Sequence, residues 1–347
     1  MKTKDFDYYL PEELIAQTPV EPRDSSRMMV CNTDNATRAD RIFRDITEYL
    51  HPGDVMVINQ TRVIPARLLG IKESTGVPTE FLLLKRQDKD TWEALVKPGR
   101  RLHAGDTVSF GDGLLRAKII ANTDAGGRVV RFVYDGVFEN LLERLGEMPL
   151  PPYIHEKLED PNRYQTVYAK LDGSAAAPTA GLHFTPELLR RVEEMGVQII
   201  PVLLHVGLGT FRPVKEDDVD NHVMHSEFYE VTQEAADAIN AARQNGGRLL
   251  CIGTTSMRTI ETAADDNGVI HPGSGMTNIF IKPGVKVKAV DMLLTNFHLP
   301  QSTLLMLVST LMGREYALEA YQDAVEKRYR FFSFGDCMLI GKGLVHE

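Results

Sequence analysis

The chain changes rhythm at Pro149-Leu150-Pro151-Pro152, and that change constrains the possible fold more than any other feature. Before it, from about Ala66 to Gly136, short β-rich runs follow one another with nothing helical between them: Glu80–Leu84, Trp92–Val96, Leu114–Ile120 and Val129–Tyr134. Turn signals separate them, among them Pro98-Gly99, Gly105-Asp106, Gly111-Asp112-Gly113 and Gly126-Gly127. Glycine reaches positive φ without steric cost and proline presets its own φ, so such pairs punctuate strands. Closely spaced strands of this kind predict a small antiparallel barrel or sandwich. Val137 to Leu145 then reads as a helix, and the proline run as a stiff connector.

After Pro152 strands alternate with helices. Thr185-Pro186-Glu187 supplies an N-cap, a first-turn proline and an acid for a helix that runs to Met195. The strand Val197–Val206 follows, then a helix capped by Thr232 and stopped by Gly246-Gly247. Arg248–Gly253 is a strand feeding a helix that carries Met257, Ile260 and Ala264. Met292–Asn296 leads through His298-Leu299-Pro300 into the apolar helix Leu304–Met312. This alternation predicts an α/β class, with a mostly parallel sheet or an α/β barrel. The early strand Asp54–Asn59 has no helix beside it, so it should join the same sheet. The expected organisation is a large α/β catalytic domain, residues 1–67 and 151–347, interrupted by an inserted β-barrel domain, residues 68–150.

Bulk properties narrow the class further. A chain of 347 residues exceeds one small core, and 43% hydrophobic with 25% charged residues is ordinary for a globular protein rather than a disordered one. The start, Met1-Lys2-Thr3-Lys4-Asp5-Phe6-Asp7, has acids where a signal peptide needs an apolar run. The most apolar stretch, Met292–Met312, is broken by Asn296, His298, Pro300 and Gln301, so no membrane span is expected. Cys31, Cys251 and Cys337 lie far apart with no CxxC, which fits a reducing cytoplasm and argues against structural zinc. The net charge of −9 argues against nucleic acid, but Lys97–His103 and Lys327–Arg330 are local basic runs.

In parallel α/β folds, ligands bind beyond the carboxyl ends of the strands. Three strands here run into polar, glycine-bearing loops: His205–Pro213, Gly253–Glu261 and Thr295–Pro300. A fourth segment, Gly173–Phe184, precedes a helix N-terminus, and its small residues permit close backbone approach. His183, His205 and His298 stand at these transitions, and neutral imidazole is suited to proton transfer near neutral pH. Each element also has a plainer reading. Gly207-Leu208-Gly209 lacks the third glycine of a dinucleotide fingerprint. The hydroxyls of Thr254, Thr255 and Ser256 suit helix caps, and Arg258 with Glu261 suits an ion pair along a helix. His222-Val223-Met224-His225-Ser226-Glu227 has metal-like spacing without a metalloprotease pattern, so no metal site is expected, and Ser256 is not in a GxSxG motif, so a hydrolase elbow is unsupported.

Those same segments resemble the S-adenosylmethionine:tRNA ribosyltransferase-isomerase family. So do Phe6–Pro11, Asn59-Gln60-Thr61-Arg62-Val63-Ile64-Pro65-Ala66-Arg67-Leu68, and Tyr329-Arg330-Phe331-Phe332-Ser333-Phe334-Gly335-Asp336. The likeness covers essentially the whole chain, with Cys337 standing where the family usually has a small residue. It implies that the ribosyl part of S-adenosylmethionine moves onto 7-aminomethyl-7-deazaguanine at the tRNA wobble position. Epoxyqueuosine tRNA, adenine and methionine are the products. It implies a tRNA partner with a GUN-type anticodon, S-adenosylmethionine consumed as a substrate, no separate cofactor, no metal, and a monomer in the cytoplasm. Under it, His183, His205 and His298 are candidates for proton transfer, with Glu261 as a second base. Arg212 and Arg258 are candidates for the methionine carboxylate or a tRNA phosphate, and Thr210, Thr254, Thr255 and Asn296 for ribose hydroxyls. Arg62, Gly207 and Gly209 complete the substrate-binding candidates. Methyl transfer from S-adenosylmethionine and non-catalytic RNA binding are the alternative functions.

Overall fold

The computed structural model describes residues 1–123, 126–156, 158–207, 214 and 216–344. The chain forms two compact units, one of Met1–Thr61, Pro152–Leu171 and Pro178–Glu347, the other of Arg62–Pro151 and Asp172–Ala177.

In chain order the strands begin with β1 (Arg27–Asn32), β2 (Thr37–Ile42), β3 (Val55–Asn59) and β4 (Thr61–Val63). The second unit contributes β5 (Arg67–Lys72), β6 (Pro78–Arg86), β7 (Thr91–Lys97), β8 (Thr107–Phe110), β9 (Leu115–Asn122), β10 (Arg128–Tyr134), α1 (Phe138–Leu145) and β11 (Gly146–Glu147). Then come β12 (Leu171–Ser174), α2 (Pro186–Glu194), β13 (Gln198–Leu204), β14 (Glu227–Val231), α3 (Gln233–Gln244), β15 (Leu249–Ile252) and α4 (Gly253–Ala263). The chain ends with β16 (Gly273–Thr277), β17 (Met292–Asn296), α5 (Thr303–Met312), α6 (Arg314–Glu326) and β18 (Cys337–Gly341).

The first unit is built on a nine-stranded sheet of order β16-β14-β13-β3-β15-β17-β18-β1-β2. The stretch β13-β3-β15-β17 is parallel throughout. β18 runs antiparallel to β17, and β14, β16 and β2 are also antiparallel to their neighbours. Of the two architectures expected from sequence, the sheet is the one formed, open and mixed rather than closed. Part of the departure has a simple cause: no α-helix stands between β1 and β2, nor among the described residues between β13 and β14, so no crossover forces parallel pairing there. β18, by contrast, runs antiparallel to β17 although α5 and α6 stand between them.

β3, β15, β17 and β18 are buried at every position, as strands covered on both faces must be. Side chains alternate across the sheet. Met56 and Ile58 pack on one face with Phe184, Leu188 and Val192 near α2, while Val55 and Val57 pack on the other with Ala236 and Ile239 of α3 and Met257 and Ile260 of α4. Farther along that second face, Met29, Cys31, Met338 and Ile340 meet Met306 and Val308 of α5 and Tyr321 of α6. The edge strand β2 carries Arg38, Asp40 and Arg41, charges that discourage edge-to-edge pairing. No helix among the described residues is long and apolar enough to cross a membrane.

In the second unit β5, β6, β7, β10, β9 and β8 pair in that order, and β5 also pairs with β8, which closes a six-stranded antiparallel barrel. Its interior holds Phe81, Trp92, Phe110, Phe132 and Phe138, the last supplied by α1. Gly70 is required there, because a Cβ would lie 2.5 Å from the Phe110 ring.

Candidate active site

The parallel strands β13, β3, β15 and β17 bring their carboxyl ends to one edge of the sheet. From β3 the chain continues to β13 on one side, whereas β15 and then β17 lie on the other. Such a reversal of strand order opens a crevice beyond the strand ends, which is where parallel α/β sheets bind ligands.

β15 turns into α4 at that edge through Gly253, whose φ of +85° a side chain would strain. The N-cap, Ile252, offers no side-chain cap, so amides of the first turn are left for other acceptors. Ser256 and Thr259 do not cap the helix either; their hydroxyls donate back to the carbonyls of Ile252 and Thr255. α4 is buried from Gly253 to Glu261, Arg258 included. The Arg258 guanidinium donates through Nη1 to Oε2 of Glu227, on β14. Among the described residues its Nε and Nη2 have no hydrogen-bond partner, and neither has Thr255 Oγ1. Thr254 and Thr255 are each only 8% exposed. A buried unsatisfied donor costs about 1–3 kcal/mol, more for a charged group, so a ligand acceptor would be strongly favoured at Arg258.

Glu227 holds this assembly together. Its Oε1 accepts the Gly207 amide at 2.8 Å and lies 3.6 Å from His225 Nε2. Burial works to raise its carboxyl, but the hydrogen bond from His225, the Arg258 charge and the Gly207 amide outweigh it and hold Glu227 below the usual carboxylate range. His222 and His225, whose spacing looked metal-like, engage Glu216 at 2.9 Å and Glu227 respectively.

At the end of β17, Asn296 is held on three sides. Its Oδ1 accepts from Thr179 Oγ1 at 3.1 Å, and its Nδ2 donates to the Phe332 carbonyl at 3.0 Å and to His183 Nε2 at 3.2 Å. An amide nitrogen only donates, so Nε2 of His183 accepts, and its Nδ1 donates to Ser26 Oγ at 2.7 Å. Burial, then the nearby charges of Arg23 and Arg330, push the His183 imidazolium down to about 3. His183 and Thr179 belong to a 3-10 helix, Thr179–His183, whose Ala180 Cβ lies 3.5 Å from where a Cβ on Gly253 would be. The start of α4 and the Asn296 cluster are therefore contiguous.

His298 lies just beyond. Its Nε2 shares a hydrogen with Thr295 Oγ1 at 2.8 Å, its amide donates to Tyr321 Oη, its carbonyl accepts from Tyr8 Oη, and burial pushes its pKa down to about 3. His205, at the end of β13, is half-buried; Nδ1 meets Thr61 Oγ1 at 2.9 Å and the ring stacks on Phe228. Asn59 at the end of β3 fixes that corner through both backbone groups of Leu204. β13 and β17 are not neighbours: β3 and β15 lie between them. At ~4.8 Å per strand, His205 and His298 start from strand ends about 14 Å apart.

One sequence candidate, Glu261, does not join this cluster. Glu261 sits two turns further along α4, where Oε2 accepts the Lys288 amide and Oε1 those of Ala289 and Val290, so it does not pair with Arg258. Arg62 belongs to the second unit, exposed and 3.6 Å from Asp172. Gly209, Thr210 and Arg212 lie outside the described residues. Sequence reasoning missed Glu227, the partner of Arg258; an acid in the string His225-Ser226-Glu227 carries no mark of burial.

Comparison with known proteins bears on the chemistry. Residues 3–340 match the family described as "Queuosine biosynthesis protein". The S-adenosylmethionine:tRNA ribosyltransferase-isomerase of Symbiobacterium thermophilum is 63% identical over 340 residues, 98% of this chain and all of the relative. That of Caldanaerobacter subterraneus subsp. tengcongensis is 60% identical over the same length and coverage. Among solved structures, the S-adenosylmethionine tRNA ribosyltransferase of Thermotoga maritima is 38% identical and covers 97% of this chain and 99% of its own, with a TM-score of 0.55. With a match across nearly its full length and relatives this similar, the chain belongs to the queuosine biosynthesis family.

Proposed function

We propose that this chain transfers and isomerises the ribosyl group of S-adenosylmethionine onto 7-aminomethyl-7-deazaguanine at the wobble position of a GUN-anticodon tRNA, releasing adenine and methionine. The relatives' shared activity supports this reading, and one observation carries it onto the site: Arg258 keeps two buried guanidinium nitrogens unpartnered among the described residues, on the same helix as the unpartnered Thr255 hydroxyl and the uncapped start of α4. A planar fork backed by helix amides suits a carboxylate, and S-adenosylmethionine brings one. In this reading Asn296, oriented by His183 and Thr179, accepts through Oδ1 from a ribose hydroxyl or the adenine amino group.

The sulfonium acidifies the adjacent ribose hydrogens, and a base must remove one before adenine departs. Protonation of His183 and His298 is opposed by burial, so they serve as neutral hydrogen-bonding groups. His205, half-buried and oriented through Nδ1 by Thr61, is the base in this proposal. S-adenosylmethionine is consumed as a substrate, no separate cofactor is assigned, and the protein acts as a monomer in the cytoplasm.

The test is a spent reaction containing S-adenosylmethionine and tRNA that bears the aminomethyl-deazaguanine. Adenine and methionine should appear one for one with modified tRNA. S-adenosylhomocysteine in their place would mean methyl transfer, and RNA binding without consumption of S-adenosylmethionine would mean a non-catalytic protein.

A further inference from the structure

His183 also borders a narrow cleft of about 20 Å³, room for about one water-sized group, lined by Arg23, Arg163, His183 and Ser333 among others. Arg23 donates to the carbonyls of Gln165 at 2.8 Å and Asn162 at 3.2 Å. Arg163 pairs through Nε with Glu21 at 2.5 Å and donates through Nη2 to the Val20 carbonyl, while its buried Nη1 has no partner among the described residues. Arg330 is not in the lining but lies behind it, donating through Nη2 to the carbonyl of Thr18, next to Pro19 of the lining, and its buried Nη1 has no partner among the described residues. The nearest acid to Arg330, Asp336, spends its carboxylate on the backbone amides of Arg27 and Arg330 rather than on the guanidinium. Burial first, then the neighbouring Arg163 charge, pulls the Arg23 guanidinium down to about 10 against the opposing charges of Glu21 and Asp160.

Three guanidiniums held mainly by neutral carbonyls, two of them with an idle buried N–H, form an oxyanion seat built before its ligand arrives. We infer that this cleft receives a non-bridging oxygen of one phosphodiester of the RNA substrate, next to the nucleotide that reacts. Glu21 is 68% exposed, so it can swing away when an anion enters, and phosphate contacts position an RNA without reading its sequence. The carboxylate of S-adenosylmethionine is the other oxyanion available, but Arg258 supplies a more buried seat for it. The inference rests on the proposed tRNA substrate.

The test compares the parent with Arg330→Gln and Arg163→Gln for binding of tRNA carrying the aminomethyl-deazaguanine, over a series of salt concentrations without S-adenosylmethionine. Each variant should bind about tenfold or more weakly, and its slope of log affinity against log salt should fall by about 0.7–0.9. Affinity for S-adenosylmethionine should stay at the parent value, which also reports that the variants are folded. In ethylation interference, one phosphate whose ethylation blocks the parent should lose that effect in the variants. Parent-like slopes with the interference pattern unchanged would overturn the inference while leaving the tRNA substrate standing. Loss confined to S-adenosylmethionine binding would overturn it in favour of the carboxylate. A parent that binds no tRNA at all would overturn both it and the function it rests on.

Discussion

Arg258 on α4 and Glu227 on β14 form an ion pair in which the side chains are only 5% and 1% exposed. The pair uses one nitrogen of the guanidinium, and the other two, also buried, have no hydrogen-bond partner among the described residues. Removing one member strands the other, so Arg258→Met should destabilise the protein by about 3–5 kcal/mol. The double variant Arg258→Met, Glu227→Leu removes both charges and should recover much of that stability. It should not recover S-adenosylmethionine binding, because the fork is gone. Urea denaturation alongside calorimetric titration separates these effects; recovery of binding in the double variant would show that Arg258 touches no ligand.

Glu261 staples the backbone of residues 288–290 to α4. Three consecutive backbone amides, Lys288, Ala289 and Val290, end on its two oxygens. Glu261→Ala orphans buried donors, each worth about 1–3 kcal/mol, so the midpoint of thermal unfolding should drop clearly. Turnover by the remaining folded protein at low temperature should stay within a few-fold of the parent. A loss of a hundredfold or more with unchanged stability would return Glu261 to the chemistry.

The sheet was legible because its strands announce themselves. Val55–Asn59, Leu249–Ile252 and Met292–Asn296 are apolar runs ended by polar loops, and each forms a strand whose carboxyl end borders the site. The barrel strands were legible for the same reason, through alternation and glycine-bearing turns. What a linear reading cannot supply is partner choice. Arg258 and Glu261, three residues apart, satisfy the helix rule for an ion pair, yet the fold sends one to Glu227 and the other to the 288–290 backbone. Adjacency was illegible too: β3, drawn from before the barrel, inserts beside β13 and separates His205 from the β17 end.

His183 and His298 give the protein a specific acid sensitivity. Each folded imidazole is pushed down to about 3, against an ordinary value of 6.5. Unfolding at pH 5 therefore takes up protons that the folded state refuses, so stability rises with pH in this window and is lost as pH falls from about 6.5 toward 3. Two such groups together add a slope of about 2.7 kcal/mol per pH unit. Urea titrations between pH 7.5 and 4.5 should show it, and His183→Asn should reduce it by about half. An unchanged slope would mean that His183 protonates in place.

The proton-transfer assignment separates His205 from His298 by pH. His205 is half-buried and held by Thr61, whereas His298 is enclosed and resists protonation. If His205 takes the proton beside the sulfonium, its own ionisation limits the rate on the acid side. His205→Ala should therefore slow adenine release about a hundredfold or more, the usual scale for losing a general base, and should abolish the acidic limb of the rate profile. Binding of both substrates should persist, because the loss belongs to the transition state. His298→Ala should also slow the reaction, through lost positioning, while leaving the limb in place. Single-turnover adenine release with saturating tRNA and S-adenosylmethionine, measured across pH, reads all of this. A limb that survives His205→Ala and vanishes with His298→Ala would exchange the two assignments; a limb untouched by either would place the base on another residue.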